Sequence, residues 1–250
     1  MIHKVNQQQT GFTLVELMLA MAGVSVLLLA IAGVVLQIAG TYNKGVTMQA
    51  VNQAGRAIVT DMRRTIAGGN SFTVKPDPAV AASKSMFVEQ KNTAGTVSAG
   101  RLCTGSYTYV WNLRADANAK VADMTNKYDA GSLANTIIRF VKVIDTGSTY
   151  CQPDSNGNYP AIDGADHPTE LLSASNLAIQ CVQVDKSCDG TTTVGDNTLY
   201  YISMLISNAD QTTLTSAGDC QPPSNAASNQ YFCAVNEFDF TAEAGTGGGQ

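Results

Sequence analysis

The sequence lacks most of the side-chain groupings that metal sites and acid–base catalysis require. It has only two histidines, His3 and His167, and none of the patterns Cys-x-x-Cys, Gly-x-Ser-x-Gly or His-Glu-x-x-His. His167 stands alone in the polar segment DGADHPTEL, where a solvated loop residue is the simpler interpretation. We therefore expect no enzyme activity, no catalytic residue and no organic cofactor.

Basic side chains are also sparse. Fifteen Lys and Arg residues stand against twenty Asp and Glu residues, the formal net charge is −5, and Arg63-Arg64 is the only adjacent basic pair. Proteins that bind nucleic acid strongly place clustered cations against the phosphates. The sequence accordingly predicts no specific nucleic-acid partner.

Charge is missing altogether from residues 17–36, where Ser25 is the one clearly polar side chain. Twenty helical residues span about 30 Å, the thickness of bilayer hydrocarbon, so this run is a membrane segment or an export signal. An ordinary signal peptide would have a shorter apolar core. A lipoprotein signal needs a cysteine, and none precedes Cys103. A plain anchor leaves Glu16 unexplained, because a carboxylate in a bilayer costs roughly 2–3 kcal/mol or more.

The segment TGFTLVELMLAM accounts for this charge. It closely resembles the processing site of type IV prepilins and type II secretion pseudopilins, in which a polar leader ends in Gly and is followed by Phe-Thr-Leu-Val/Ile-Glu and an apolar helix. The matching residues here are Gly11, Phe12, Thr13, Leu14, Val15 and Glu16. The resemblance implies that a prepilin peptidase cuts between Gly11 and Phe12, and that the new amine of Phe12 is methylated. It also implies that the carboxylate of Glu16 pairs with the N-terminal amine of a neighbouring subunit during assembly.

The helix is expected to continue well beyond the apolar run. Small and apolar residues recur at helical spacing up to Gly68-Gly69, at positions 51, 54/55, 58, 62 and 65/66, which predicts a face that packs on a following domain. Many pilins carry a helix breaker near Gly33, so the resemblance suggests a hinge there; close helix–helix contact through small residues explains this glycine equally well. A weaker similarity to PilW-type minor pilins rests on Asn52, Gly55, Arg56, Asp61 and Arg64.

The sequence beyond residue 70 changes to a period of two, which is typical of strands. The predicted strands are 107–114, 136–145, 177–185, 198–207 and 231–240, with the second apolar on both faces. We expect an α+β, pilin-like fold in which an antiparallel sheet lies on the second half of the long helix. The predicted organisation is a leader (1–11), a transmembrane and polymerisation half-helix (12–40), an amphipathic half-helix (41–69) and an exported β-rich domain (70–250).

All six cysteines lie in this expected exported domain, which indicates disulfides formed in an oxidising compartment. Fifteen pairings are possible, and the sequence alone does not choose among them. We favour pairing of nearest neighbours: Cys103–Cys151, Cys181–Cys188 and Cys220–Cys233.

One acidic loop, PDSNGNYPAID, has a partial likeness to a calcium-binding loop. Its oxygen ligands would be Asp154, Asn156, Asn158 and Asp163. The sixth loop position is Tyr159 where glycine is expected, and the twelfth is not Glu. A turn-rich loop without a metal is therefore the favoured interpretation.

Together these observations predict a minor pilin that primes type IV pilus assembly near the tip. The expected partners are other pilin subunits, a prepilin peptidase, the inner-membrane assembly platform and the membrane itself. The domain would be periplasmic before assembly and extracellular afterwards. A J-type minor pseudopilin of a type II secretion system, assembled in the periplasm, is the alternative, and a membrane-anchored periplasmic enzyme or binding protein is a remote one.

Overall fold

The computed structural model describes residues 11–69, 72, 74, 86–115, 119–131, 133–191, 199–215, 218–222 and 233–245. The chain forms two compact units, Met1–Asn43 and Lys44–Gln250. The unit boundary falls close to the predicted change from the polymerisation half-helix to the amphipathic half-helix. Residues 231 and 232, which belong to the last predicted strand, lie outside the described residues.

The N-terminal helix α1 runs from Leu14 to Ala67. Long apolar side chains and alanines favour helix throughout its first half. The helix ends at the predicted glycine pair, where Gly68 N–H donates to the carbonyl of Arg64 at 3.1 Å and Gly69 N–H to that of Ile66 at 3.1 Å. These two bonds satisfy carbonyl groups that the helix end would otherwise leave without partners.

Within the described residues, eight strands form two antiparallel sheets with the orders β1-β2-β3-β4-β5 and β6-β7-β8. The strands of the first sheet are β1 (Phe87–Lys91), β2 (Val97–Cys103), β3 (Tyr107–Asn112), β4 (Phe140–Ile144) and β5 (Thr169–Glu170). Those of the second are β6 (Leu177–Val184), β7 (Leu199–Asn208) and β8 (Val235–Glu243). A parallel bridge between Leu113 and Ile179 links the two sheets.

The α+β class and the antiparallel pairing agree with the prediction, but the single expected sheet is two sheets. Strands β1, β2 and β5 were not predicted. Strand β4 begins at Phe140, four residues later than expected, and β8 extends to Glu243. The register of β8 against β7 places Phe240 opposite Ile202 and Ala242 opposite Tyr200, so the buried positions continue beyond the predicted end.

The predicted face of α1 is buried in the main core. Val51, Ile58, Met62 and Ile66 are at most 1 % exposed. They belong to one apolar cluster with residues of both sheets, including Trp111 and Met204. The opposite face of the first sheet, with Val141 and Val143, packs in a second cluster against the segment that follows β3 and the loops that follow β4. Strand β4 is therefore covered on both faces, as its apolar sequence predicted.

The disulfides join the three pairs of nearest neighbours that we favoured among the fifteen possible pairings. They link Cys103 to Cys151, Cys181 to Cys188 and Cys220 to Cys233, with Cα–Cα distances of 6.2, 6.0 and 5.8 Å. These separations lie in the range that a disulfide spans without moving the backbone.

Candidate functional site

The predicted cleavage point lies outside the helix. Gly11, Phe12 and Thr13 precede α1, and the side chain of Phe12 is 88 % exposed. No atom lies within 4 Å of the place where a Cβ on Gly11 would stand. The peptide bond between Gly11 and Phe12 is thus open to a protease along a non-helical stretch of backbone.

Thr13 and Glu16 form a reciprocal cap at the start of α1. Glu16 N–H donates to Thr13 Oγ1 at 3.2 Å, and Glu16 Oε2 accepts from both the N–H and the hydroxyl of Thr13 at 3.0 Å. This is a capping box, in which a Thr at the N-cap and a Glu three residues later satisfy each other's backbone N–H groups. The sequence signal for this cap is Thr-x-x-Glu before an apolar run, whereas the resemblance to prepilins implies for Glu16 only a role in assembly.

The first half of α1 exposes almost all of its apolar side chains. Seventeen large hydrophobic residues between Phe12 and Ile38 are 51–88 % exposed. The helix is long and apolar enough to cross a membrane, and its position near the N-terminus is also that of a signal sequence. In water such a surface requires a lipid or protein partner.

The structure places the predicted hinge residue in continuous helix. Gly33 lies in the middle of α1, and no atom lies within 4 Å of the position of a Cβ. Its role as a hinge stays a prediction, because it concerns the assembled fibre.

The residues behind the PilW-type similarity fasten the second half of α1 to the strands. Asn236 Nδ2 donates to Asn52 Oδ1 at 2.7 Å, which ties the helix to β8. A Cβ on Gly55 would overlap the ring of Phe238, so only glycine allows this close packing. These two positions therefore have a structural function in the domain.

Asp61 connects α1 to β4 through an ion pair and to β3 through a hydrogen bond. Lys142 Nζ lies 3.0 Å from both carboxylate oxygens of Asp61 and also donates to Thr65 Oγ1 at 2.8 Å. The hydroxyl of Tyr109 donates to Asp61 Oδ2 at 2.8 Å, and burial raises the pKa of that hydroxyl, so it remains a donor. Lys142 Nζ also lies 4.3 Å from the centre of the Tyr107 ring.

A buried arginine organises the other face of the first sheet. Arg101, on β2, is 1 % exposed, and its Nε and Nη2 donate to Asn126 Oδ1 at 3.0 and 2.6 Å. Its Nη1 donates to the carbonyl of Tyr150 at 2.8 Å. Burial lowers the pKa of Arg101 to about 10. Arg101 is not among the residues predicted from the sequence, because an Arg in the segment VSAGRLC gives no local sign of burial.

The carboxylates of the possible calcium loop accept hydrogen bonds from backbone N–H groups. Asp154 Oδ1 accepts from the N–H groups of Asn156 and Asn158, both at 2.8 Å, and the bond from Asn158 contributes most to lowering the pKa of Asp154. Asp163 Oδ1 accepts from Ala165 N–H at 2.8 Å. Within the described part of the chain, no group of three or more His, Cys, Asp or Glu side chains is placed to hold a metal ion.

None of the protein-family models matches the chain, and neither a curated protein nor a solved structure matches it.

Proposed function

We propose that this protein is a minor pilin, a structural subunit of a type IV pilus. The observation that carries the proposal is the segment Gly11–Glu16, which has the composition of a prepilin processing site and joins an exposed peptide bond to a long apolar helix. A peptidase that cuts before Phe12 removes the polar leader and leaves the new amine one turn from Glu16.

The arrangement of the rest of the chain supports this proposal. The exposed apolar surface of residues 12–38 is suited first to a membrane and then to packing against other copies of the same helix. The domain from Lys44 onward has its own core and three disulfides, as expected for a part that leaves the cell. We infer that Glu16 pairs with the amine of a neighbouring subunit, since opposite charges about 4 Å apart attract by several kcal/mol at intermediate dielectric.

N-terminal sequencing with intact-mass measurement of the protein from its native host tests the proposal. The expected product begins with N-methylated Phe12 and lacks residues 1–11. A chain that begins after residue 30 or retains Met1 would contradict it, because signal peptidase cleavage or a plain anchor would then explain the apolar segment.

The same processing site also serves a J-type minor pseudopilin, and a deletion strain separates the two machines. A pilus subunit predicts loss of surface pili and twitching with normal protein secretion. Loss of secreted enzymes with intact pili would assign the chain to a type II secretion system instead.

A further inference from the structure

The charged residues are unevenly distributed along the chain. Thirteen of the twenty acidic residues, but only one of the fifteen basic residues, Lys186, follow residue 144. The part of the chain before residue 145 is therefore net positive, although the whole chain has a net charge of −5. This distribution gives the molecule two surfaces of opposite sign wherever the fold gathers these charges on separate faces.

The outer side of the second sheet is an acidic face. Side chains of β8 alternate between the two sides of the sheet, so that Phe240 and Ala242 are buried in the core. Glu237, Asp239 and Glu243 lie on the other side, where Asp239 and Glu243 are exposed. Strand β8 is the edge strand of its sheet. The three carboxylates follow one another along about 20 Å of this strand.

The acidic face also includes an exposed leucine. Leu199 of β7 is 43 % exposed and is paired with Glu243 in the strand register. Ser203, paired with Asp239, donates to Glu237 Oε1 at 2.7 Å and holds that carboxylate in place. Within the part of the chain that the structure describes, none of the three carboxylates is in an ion pair. A partner that fits this face has to supply cations together with apolar contact.

The exposed side of the second half of α1 is a basic face. It carries Arg56, Arg63 and Arg64, which all lie away from the buried stripe of the helix. The single acidic residue between Lys44 and the helix end is Asp61, which pairs with Lys142.

Val46 adds an apolar contact point to the basic face, with an exposed fraction of 48 %. It lies 18 residues before Arg64, which is five full turns, so both side chains point to the same side of the helix.

The two faces match in length and are opposite in charge. The helix rises about 27 Å from Val46 to Arg64, and the nine residues of β8 span about 30 Å. They cannot meet within one molecule, because the opposite side of β8 packs on α1 of the same chain through the contact of Phe238 with Gly55. The basic face that meets the acidic face must therefore belong to another molecule.

We propose that the acidic face of one copy docks on the basic face of a second copy in a head-to-tail contact. The carboxylates face the guanidinium groups, while the aliphatic parts of the arginine side chains cover Leu199. A contact between two different faces leaves one face of each kind free, so it repeats along a ring or a filament. The proposal does not depend on how the N-terminus is processed, since every residue in it follows Asn43.

Sedimentation equilibrium of the full-length protein in density-matched detergent micelles tests the proposal. We expect the wild type to self-associate at low salt. Raising the salt from about 0.05 M to about 0.5 M weakens this association by at least about tenfold, because the paired charges are exposed. The apolar half of α1 lies in the micelle, and association through that half does not weaken with salt.

Charge reversal identifies the two faces. The helix-reversed variant is Arg56→Glu/Arg64→Glu, and the sheet-reversed variant is Asp239→Lys/Glu243→Lys. Each variant has two faces of like charge, so we expect each alone to self-associate at least about tenfold more weakly than the wild type. All four residues are exposed, so the variants keep the fold. Arg63 is left unchanged, because its guanidinium lies 5.4 Å from the centre of the Phe240 ring.

An equimolar mixture of the two variants restores opposite charges at the contact, and we expect it to associate as the wild type does. The chain that carries all four substitutions should also recover self-association. As controls, Lys120→Glu and Asp123→Lys reverse exposed charges away from both faces and leave association unchanged.

Four results would each overturn the proposal. The first is a wild type that stays monomeric at low salt. The second is association that neither reversal weakens, which would place the contact in the apolar half of α1. The third is a mixture of the two variants that does not associate. The fourth is an oligolysine peptide that binds the helix-reversed variant as tightly as the sheet-reversed variant does, which would mean that the acidic face accepts any cation.

Discussion

At the scale of single residues, Gly55 sets how closely α1 approaches β8. A Cβ there would overlap the ring of Phe238, so Gly55→Ala forces this partly buried ring away from its place against the core. We expect the free energy of unfolding to fall by about 1–3 kcal/mol, the usual cost of overpacking. This loss occurs even though alanine favours the helical state by about 1 kcal/mol. Denaturant unfolding of the full chain measures it.

Gly45 provides the matched control on the same helix. No atom lies within 4 Å of its would-be Cβ. Gly45→Ala should therefore show only the propensity gain, up to about 1 kcal/mol. If Gly55→Ala and Gly45→Ala stabilised the protein equally, the contact with Phe238 would not require glycine at position 55.

The buried carboxylate of Glu170 gives the domain a pH dependence. It accepts from the backbone N–H groups of Arg139, Phe140 and Leu172 at 2.8–3.1 Å, yet burial outweighs these bonds and raises its pKa above 4.5. A carboxyl group whose pKa is higher in the folded than in the unfolded protein makes its full contribution to stability below the unfolded-state pKa. This contribution is lost as the pH rises through the folded-state pKa. We expect the stability of the wild type relative to Glu170→Gln to decrease as the pH rises from below 4.5. A difference that grows over this range would contradict the assignment.

At the scale of elements, Asp61 and Lys142 couple α1 to the first sheet. Both side chains are partly buried. Lys142 also donates to Thr65 Oγ1 and lies over the ring of Tyr107. A double-mutant cycle with Asp61→Asn and Lys142→Met should give a coupling energy of about 1–2 kcal/mol. As the control, Asp61→Asn combined with Lys120→Gln should be additive within about 0.5 kcal/mol. Additivity of the first pair as well would mean that the ion pair contributes nothing to helix docking.

Elements with a regular pattern could be predicted from the sequence. The buried face of α1 and the cores of β3, β6 and β7 have clear helical or alternating periods, and the structure places them accordingly. Strands β1 and β2 were missed because polar residues interrupt their pattern. Glu89 and Lys91 lie on an edge strand, while Gly100 and Arg101 are buried through contacts with distant residues.

A cleft of about 450 Å³ between the two sheets gave no local sign in the sequence. It exists because β6 contacts the first sheet through one bridge, between Leu113 and Ile179, and otherwise pairs with β7. In addition, a bulge leaves Gln180 without a partner residue on β7. Both features depend on pairing between residues far apart in the chain. By contrast, a processing site at the N-terminus can be proposed from the sequence, since all its residues lie in one short segment; that proposal stays a prediction until the N-terminus is sequenced.

At the scale of the whole molecule, the disulfides should contribute unequally to stability. The Cys103–Cys151 bond closes a loop of 48 residues and the Cys181–Cys188 bond one of 7. Loop entropy then gives about 4 kcal/mol for the first and about 2 kcal/mol for the second. Paired Cys→Ala variants, compared by denaturant unfolding, should show this order. The opposite order would mean that local packing outweighs loop entropy here.

The helix cap of Glu16 can be separated from its proposed role in assembly, because a capping box accepts Gln as well as Glu. Glu16→Gln keeps the cap and removes the charge, whereas Thr13→Ala weakens the cap and keeps the charge. If the carboxylate drives assembly, we expect Glu16→Gln and Glu16→Ala to be lost from purified fibres and Thr13→Ala to be incorporated. Immunoblots of sheared fibres measure this.

The reverse pattern has a clear meaning. Normal incorporation of Glu16→Gln together with loss of Thr13→Ala would show that Glu16 acts through the helix cap alone. Equal amounts of each variant in the membrane fraction are the control for expression.

The disulfides also determine how the molecule bears a mechanical load. Each one joins residues that follow α1, so no covalent cross-link fastens the helix to either sheet. Tension applied through the N-terminal helix is therefore resisted by non-covalent contacts, which include the packing of its buried face, the Asn52–Asn236 bond and the bonds of Asp61 with Lys142 and Tyr109. Under a pulling force, the helix should detach before the disulfide-linked loops extend.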